Sequence, residues 1–267
     1  MGEVNSVGKA RTIVLLLAGG IGARMGAEVP KQFMKIGGRP VIMYTLAQLE
    51  KAPVVDGIVI ACIEGWEQRL RAWIAAAGIE KVTAIVPGGG TRYASTRRGM
   101  ESLAADDDDV IVVHDAVRPL VSDDSLASVV SVARRFGNSM AVLECTDTMY
   151  ERTGLPGEAL DREGRSESGN SLAEDSLNLG YTARVVARER LVRGLTPEAV
   201  TGRRMREMYA RADARGIRLD SISVLQSALG WEIHFAKGDR INLKLTRPED
   251  VELFRALLAL REKTRAL

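Results

Sequence analysis

The stretch that decides the fold reads Leu17-Ala18-Gly19-Gly20-Ile21-Gly22-Ala23-Arg24-Met25-Gly26, and Pro30-Lys31-Gln32-Phe33 follows it closely. It comes directly after an apolar run, residues 12–17, which predicts a buried first strand. Its glycines let the backbone approach a ligand closely with its N–H groups available. Because Arg24 and Lys31 stand beside this glycine backbone, the stretch predicts a site for a triphosphate.

Two common glycine motifs fit this stretch poorly. The dinucleotide fingerprint G-x-G-x-x-G has an acid about 20 residues later for the ribose. Here Gly20 and Gly22 have the first spacing, but Met25 stands where the third glycine belongs and the next strand ends near Glu64. A Walker loop is excluded because the chain has no Gly-Lys-Ser or Gly-Lys-Thr. The remaining alternative is a glycine-rich turn with incidental charges.

Apolar runs alternate with helical patterns along most of the chain. Strands are predicted at residues 12–17, 57–63, 82–86, 109–113 and 140–143, and helices at residues 40–51, 66–77, 91–104 and 122–135. This alternation predicts an α/β fold with a doubly wound, mostly parallel sheet. Ligands bind beyond the carboxyl ends of the strands in such sheets. Residues 19–31, 88–95 and 115–118 each follow a strand and should gather at one edge.

The later part of the chain is less regular. Residues 151–179 are polar, rich in glycine and serine, and without periodicity. Thr196 and Pro197 have the N-cap and N1 pattern that predicts the start of a helix. Late strands are predicted at residues 231–235 and 241–245. A capping box from Thr246 to Glu249 then predicts a final helix over residues 248–263.

The composition is that of an ordinary globular protein of one domain, residues 1–267. It is 46% hydrophobic and 27% charged, and its net charge of +2 gives no general attraction to nucleic acid or to a membrane. Cys62 and Cys145 lie in apolar runs and are predicted to be reduced core residues. His114 and His234 lack the spacing of a zinc site. With no apolar signal segment, the expected location is the cytoplasm.

The glycine stretch and Pro30-Lys31-Gln32-Phe33 together resemble the nucleotide loop of the cytidylyltransferases that activate polyol phosphates. These are the methylerythritol 4-phosphate and the ribitol 5-phosphate cytidylyltransferases. Further stretches resemble that family's motifs in the same order over nearly the whole chain: Pro87-Gly88-Gly89-Gly90-Thr91-Arg92-Tyr93-Ala94-Ser95, Val113-His114-Asp115-Ala116-Val117-Arg118-Pro119, Thr146-Asp147-Thr148, Gly194-Leu195-Thr196-Pro197 and Leu243-Lys244-Leu245-Thr246-Arg247-Pro248-Glu249-Asp250. The resemblance implies a Rossmann-like, GT-A-like nucleotidyltransferase fold with a protruding β-arm.

The resemblance also implies a reaction, the transfer of CMP from CTP to a sugar-alcohol phosphate with release of pyrophosphate. The nucleophile is a phosphate oxygen whose second pKa is about 6, so at neutral pH it is mostly ionised and needs no general base. Fixed cations and one Mg²⁺ would stabilise the charge that develops on the α-phosphate and on the leaving pyrophosphate.

Individual residues receive roles from the same resemblance. The implied catalytic residues are Arg24, Lys31 and Lys244. The implied nucleotide-binding residues are Ala18, Gly19, Gly20, Gly89 and Ser95. The implied acceptor-binding residues are Asp115, Arg118, Thr148 and Arg188, with Arg190 and Arg193 as rivals of Arg188. Asp115 is also a candidate ligand for Mg²⁺, and His114 is expected to be structural.

The polar region belongs to the arm that the resemblance implies. In the family this arm interlocks two subunits, so residues 146–187 are expected to be an extended dimerisation arm and the protein a homodimer. A surface loop without that role is the alternative. The arm is longer here than in the family.

The identity of the acceptor stays open at this stage. Leu219 stands where methylerythritol enzymes carry a threonine and cannot hydrogen-bond a substrate. This departure and the form of the glycine stretch favour ribitol 5-phosphate slightly over 2-C-methyl-D-erythritol 4-phosphate. Two other classes remain as alternatives, an NAD(P)-binding oxidoreductase with a degenerate Rossmann loop and a non-catalytic regulator that keeps the fold.

Overall fold

The structure, a computed structural model, describes residues 9–20, 29–153, 158–160, 166–168 and 181–265. The chain divides into two compact units, one of residues 1–143 and 194–267 and the other of residues 144–193. Among the helices of the described residues, none has the length and apolar character needed to cross a membrane.

Strands and helices alternate through most of the first unit, and the elements of both units are numbered together in chain order. The strands are β1 (Thr12–Ala18), β2 (Lys35–Ile36), β3 (Arg39–Pro40), β4 (Gly57–Cys62), β5 (Val82–Pro87), β6 (Val110–Asp115), β7 (Asn138–Glu144), β8 (Met149–Thr153), β9 (Glu158–Leu160), β10 (Ser166–Ser168), β11 (Tyr181–Val186), β12 (Val192–Thr201) and β13 (Phe235–Lys237). The helices are α1 (Val41–Lys51), α2 (Glu67–Ala76), α3 (Arg92–Glu101), α4 (Asp123–Phe136), α5 (Gly202–Ala214), α6 (Ile222–Ala228) and α7 (Pro248–Arg265).

The first unit is built on a seven-stranded sheet in the order β13-β7-β12-β6-β1-β4-β5. The central strand β1 pairs in parallel with β4 and β6, β4 pairs in parallel with β5, and β12 runs antiparallel to β6. The prediction of a doubly wound, mostly parallel sheet is therefore confirmed. The five strands predicted before residue 145 correspond to β1, β4, β5, β6 and β7 to within a few residues, whereas the short strands β2 and β3 were not predicted.

Both faces of the sheet are covered by helices. Val14 and Leu16 of β1 belong to one hydrophobic cluster, and Ile13 and Leu15 belong to another. Helices α1, α2 and α4 contribute to the first cluster, whereas α3, α5 and α6 contribute to the second. Burial on both faces explains why the parallel strands read as continuous apolar runs rather than as alternating ones.

The order of the strands reverses at β1. From β1 the chain proceeds outward through β4 to β5, and it then crosses back to β6 on the other side of β1. A switch point of this kind opens a crevice beyond the carboxyl ends of the strands. β1 ends at Ala18, β5 at Pro87 and β6 at Asp115, so the three loops singled out in the sequence begin at this edge.

The predicted ends of two helices are confirmed in part. Ser122 caps α4 by accepting a hydrogen bond from the Ser125 N–H, and Gly137 ends that helix with φ +87°. At the start of α7 the cap differs from the predicted one. The carboxylate of Asp250, not that of Glu249, accepts hydrogen bonds from the N–H groups of Thr246 and Arg247.

The predicted helix at Thr196 and Pro197 is wrong, since both residues lie in β12. This strand pairs with β6, the Thr196–Pro197 bond is cis, and Thr196 is 4% exposed. The Thr196 hydroxyl does not cap a helix, because its Oγ1 accepts a hydrogen bond from the Asp115 N–H at 3.3 Å. Burial in the sheet therefore overrides the local capping pattern, and the next helix, α5, begins at Gly202.

Three other predictions need correction. The strand expected at residues 231–235 is present only at its last residue, where β13 begins, and residues 241–245 form no strand. The latter segment is instead held by loop contacts, since the Leu245 N–H donates to the Val117 carbonyl. Cys62 is buried, but Cys145 is only partly buried and is not a core residue; both are free thiols.

The second unit contains two antiparallel strand pairs, β8 with β11 and β9 with β10. Both pairs lie within residues 146–187, the segment for which the arm was expected. Residues 154–157, 161–165 and 169–180 of that segment lie outside the described residues.

Helix α3 approaches the sheet closely at Gly99. A Cβ atom there would lie 2.3 Å from Cδ1 of Leu15, which is fully buried in β1. We expect Gly99→Ala to lower the free energy of unfolding by about 1–3 kcal/mol through overpacking. This loss should appear even though alanine favours a helix over glycine by about 1 kcal/mol. Urea unfolding followed by circular dichroism measures the change.

Leu15→Val offers a control because it removes atoms at the contact. The double variant should lose less stability than the sum of the two single losses, since the smaller side chain relieves the clash. A Gly99→Ala protein as stable as the wild type would contradict this close packing.

Candidate active site

A cavity of about 590 Å³ lies at the carboxyl ends of β1, β5 and β6. The predicted site residues that line it are Gly19, Gly20, Lys31, Gly89, Ser95, Asp115 and Lys244. The three predicted loops therefore meet at one edge, as the fold class implied. Ala18 is the buried last residue of β1 and directly precedes the first glycines of this wall.

The first glycine loop presents bare backbone to the cavity. A Cβ atom at Gly20 would meet no atom within 4 Å, whereas one at Gly19 would lie 2.8 Å from Oγ of Ser95. Lys31 lines the same cavity from a short 3-10 helix, Lys31–Phe33. Arg24, predicted as the second cation of this loop, lies outside the described residues.

The second glycine loop is fastened by Ser95, which is 4% exposed. Its Oγ accepts a hydrogen bond from the Gly89 N–H at 2.9 Å and lies 3.0 Å from the Thr91 carbonyl, to which it donates. A Cβ atom at Gly89 would lie 2.4 Å from Cβ of Ala94, so only glycine fits there. Ser95 thus holds the backbone that faces the first loop.

A buried carboxylate, that of Asp115, lies at the end of β6, level with Leu17 of the neighbouring strand β1. Its Oδ2 lies 2.9 Å from Nζ of Lys244 and 3.6 Å from Nε of Arg118, and its Oδ1 lies 3.4 Å from Nη2 of Arg92. Burial alone raises the pKa of Asp115. The charges of Lys244, then Arg92 and Arg118, outweigh this effect and hold the pKa well below its usual range.

The neighbouring His114 is fully buried, and its Nε2 contacts the Arg118 carbonyl at 3.2 Å. Burial lowers the pKa of this imidazole to about 4, although the nearby Asp115 charge opposes the shift. His114 is therefore neutral at pH 7. Its position at the end of β6 agrees with the structural role expected for it.

Arg118 joins two segments of the site. Its Nη1 donates to the Asn242 carbonyl at 2.8 Å, two residues before Lys244. The Leu245 N–H also donates to the Val117 carbonyl at 2.9 Å, so the Lys244 segment is held on both sides. Arg118 is 8% exposed and supports the placement of Asp115 and Lys244.

Two predicted acceptor residues, Thr148 and Arg188, belong to the second unit. Arg188 is exposed there, with Nη1 donating to the Thr146 carbonyl at 2.8 Å and Nε 3.4 Å from Oε1 of Glu189.

Further side chains to which the sequence analysis assigned no role also line the cavity, among them Gln32, Glu64, Arg92 and Arg98. Arg92 is the most informative of these, because it contacts both Asp115 and the segment before α6. Its Nη2 lies 3.4 Å from Oδ1 of Asp115, and its Nη1 donates to the Asp220 carbonyl at 2.5 Å. Its place directly after the second glycine loop was the available signal. Leu219 packs against the second hydrophobic cluster and is not among the residues that line the cavity.

The charge of the cavity favours an anionic ligand. Among the residues that the structure describes, its basic side chains are Lys31, Arg92, Arg98 and Lys244, against the two carboxylates Glu64 and Asp115. The donor set does not fit a Mg²⁺ ion held by the protein alone. Asp115 already faces three cations, and the described residues contain no cluster of three His, Cys, Asp or Glu side chains suited to a metal.

Comparison with known proteins agrees with this geometry. The family model described as IspD, 2-C-methyl-D-erythritol 4-phosphate cytidylyltransferase, matches residues 12–167. A ribitol-5-phosphate cytidylyltransferase from Lacticaseibacillus paracasei is 30% identical over 254 residues, which cover 93% of this chain and 97% of that protein. A 2-C-methyl-D-erythritol 4-phosphate cytidylyltransferase from Desulforamulus reducens is 29% identical over 247 residues, covering 92% and 95%.

A solved structure shows the same likeness in three dimensions. The crystal structure of 2-C-methyl-D-erythritol 4-phosphate cytidylyltransferase from Thermus thermophilus is similar at a TM-score of 0.66 and 28% identity, covering 92% of this chain and 98% of that one. The family match covers more than half of the chain and includes both glycine loops and Asp115. The chain therefore belongs to the IspD family of cytidylyltransferases, which are nucleotidyltransferases.

Proposed function

We propose that this protein transfers CMP from CTP to a polyol phosphate and releases pyrophosphate. The observation that carries the proposal is the cavity at the switch point, which is lined by bare glycine backbone from two loops and, within the described part of the chain, by four basic side chains. Bare backbone suits close contact with a nucleotide, and the cations suit a triphosphate and a second phosphate. Membership of a cytidylyltransferase family supports this reaction over an oxidoreductase or a non-catalytic regulator.

The proposed step is an in-line displacement at phosphorus. An oxygen of the acceptor phosphate forms a bond to the α-phosphorus of CTP. The bond from that phosphorus to the oxygen bridging to the β-phosphate breaks, and pyrophosphate leaves with the electron pair. The residues of the site contribute by positioning the two anions and by stabilising charge as it shifts to the leaving group.

Neither Asp115 nor His114 is placed to act as a general base for this step. Asp115 is ionised, but its low pKa makes it a poor proton acceptor, and its oxygens face cations. His114 is fully buried. A base is not needed because the second pKa of a phosphate monoester is about 6, so the nucleophile is already ionised at neutral pH.

The two lysines are proposed to act at different phosphates. Lys31 lies beside the first glycine loop, and we assign it, with Arg24, to the triphosphate. Lys244 lies against Asp115, and we assign it to the acceptor phosphate and the α-phosphate. Any Mg²⁺ is expected to arrive with CTP, whose phosphate oxygens are ligands that this ion prefers.

The base and the ribose are assigned to the wall where the glycine loops meet. Ala18, Gly19, Gly20, Gly89 and Ser95 are retained as the proposed nucleotide-binding residues. A Cβ atom at Gly88 would lie 3.3 Å from Cα of Gly19, so the two backbones are in near contact. Such a narrow wall of small residues favours a pyrimidine over a purine by size.

Ribitol 5-phosphate is the slightly favoured acceptor, with 2-C-methyl-D-erythritol 4-phosphate as the alternative. Relatives of similar identity carry both names. The homodimer through residues 146–187 and the cytoplasmic location stay predictions. Met149, Tyr150 and Val185 of β8 and β11 are exposed apolar side chains that such an arm would use for a partner.

The proposed reaction is tested by measuring pyrophosphate release with CTP and Mg²⁺ in the presence of each polyol phosphate. We expect release that requires both CTP and the acceptor, with ribitol 5-phosphate the better of the two. ATP and GTP serve as controls for base size and should give no release. Absence of release with either acceptor would overturn the proposal, and saturable quenching of NADH fluorescence would then support the oxidoreductase.

The assignment of Lys31 is tested by Lys31→Ala. Loss of one well-placed donor to developing charge lowers kcat by about 10²–10³. We expect a fall of that order with unchanged thermal stability. Lys35→Ala is the matched control, since Lys35 is exposed and does not line the cavity. A kcat within about fivefold of the wild-type value would remove Lys31 from the mechanism.

The assignment of Lys244 is tested by Lys244→Met, which keeps the length of the side chain and removes its charge. Asp115 retains Arg92 and Arg118, so we expect the protein to stay folded. The value of kcat/KM for the acceptor should fall about 100-fold, with a smaller effect on the Kd of CTP. The control is Lys237→Met on the exposed edge strand β13. Equal losses for CTP and acceptor binding would contradict an acceptor-side role.

A further inference from the structure

Gln32 is a buried polar residue in the wall of the cavity, next to Lys31. It is 2% exposed, and its Nε2 donates hydrogen bonds to two backbone carbonyls, those of Ala18 at 2.8 Å and Gly20 at 2.9 Å. These carbonyls lie on either side of Gly19. The amide group of Gln32 thus binds the backbone of the first glycine loop through two hydrogen bonds.

The loop needs restraint from outside because glycine has no side chain to provide it. Glycine also loses more conformational freedom on ordering than other residues do. A Cβ atom at Gly20 would meet nothing within 4 Å, so this residue borders open space on that side. The two hydrogen bonds from Gln32 restrain this backbone where side-chain packing does not.

The same bonds orient the groups that a ligand meets. In a trans peptide the carbonyl and the N–H point in opposite directions. The Ala18 carbonyl is held by Gln32 and by the Ile63 N–H at 3.1 Å, and this fixes the direction of the Gly19 N–H in the same peptide. Gly19 itself lines the cavity.

Gln32 is also firmly attached to the rest of the first unit. The next residue, Phe33, is 2% exposed and stacks on Trp66 with ring centroids 4.4 Å apart. The Phe33 N–H donates to the Pro30 carbonyl at 2.8 Å. Lys31, Gln32 and the glycine backbone are therefore connected through one short, well-packed segment.

We propose that Gln32 is a positioning residue of the nucleotide site, which sets the glycine backbone of residues 18–20 relative to Lys31 for a nucleoside triphosphate. The proposal rests on the proposed function for the identity of that ligand. Gln32 acts through the backbone and through its neighbour, and it takes no part in proton transfer or bond formation.

The test uses Gln32→Met, which keeps the size of the side chain and removes both hydrogen bonds. Calorimetric titration with CTP and Mg²⁺, without acceptor, should show Kd raised about 10-fold to 100-fold, by analogy with the residues that orient the ligands of a metal site. The KM of the acceptor should change less than about threefold. Hydrogen exchange at residues 18–20 should become faster in the absence of any nucleotide.

The control is Gln226→Met. Gln226 is 1% exposed, donates to the Ile222 carbonyl at 3.1 Å and does not line the cavity. Both variants should lose thermal stability, but Gln226→Met should leave CTP affinity and exchange at residues 18–20 unchanged. If Gln32→Met fails to fold, Gln32→Asn keeps a neutral amide on a side chain one methylene shorter, which draws the donor away from both carbonyls.

The outcomes separate this proposal from the proposed function. A Gln32 variant that loses stability alone, with CTP affinity and exchange as in the wild type, overturns the positioning role. Faster exchange together with weaker CTP binding supports it, whether or not the wild type turns over a polyol phosphate. A wild-type protein that binds no CTP overturns the triphosphate assignment. If hydrogen exchange at residues 18–20 is then also unchanged in Gln32→Met, the proposed restraint of this backbone by Gln32 is overturned as well.

Discussion

The buried charge of Asp115 is the constraint around which the candidate site is arranged. A carboxylate with 6% exposure at the end of a central strand is stable only if cations compensate for its lost hydration. Lys244, Arg92 and Arg118 do so, and each comes from a different segment of the chain. The carboxylate thus gathers the loop after β5, the loop after β6 and the segment before α7 at one point. With three cations for one anion, the cluster keeps a positive excess beside the cavity.

This excess explains how the site can serve phosphoryl chemistry without relying on a general base. The difficulty in joining two phosphates is the repulsion between anions, and fixed positive charge reduces it without any proton transfer. Asp115 holds Lys244 in place, while the cavity stays attractive to a second anion. The glycine backbone that lines the cavity suits a nucleotide, and the charge cluster around Asp115 suits an acceptor phosphate.

The fold class followed from the sequence because buried parallel strands leave a strong local signal. The apolar runs, the Ser122 cap and the Gly137 stop all depend on neighbours in the chain. The failures came where distant contacts decide, as at Thr196, whose hydroxyl binds the Asp115 N–H, and at residues 241–245, held by loop contacts instead of strand pairing. Arg92 and Gln32 were missed for the same reason. Their partners lie 12 to 128 residues away, so spacing alone does not reveal them.

The near contact between Gly19 and Gly88 has a consequence for how such a site can diverge. Where two backbones touch, almost every substitution adds atoms to a space that is already filled, so mutation cannot adjust that wall gradually. The charge cluster around Asp115 is made of side chains, and single replacements there can reshape the site while the sheet remains intact. Drift under selection would therefore change the alcohol phosphate that is accepted long before it changed the nucleotide. Enzymes with this site can therefore diverge to act on different alcohol phosphates while they keep the same nucleotide donor.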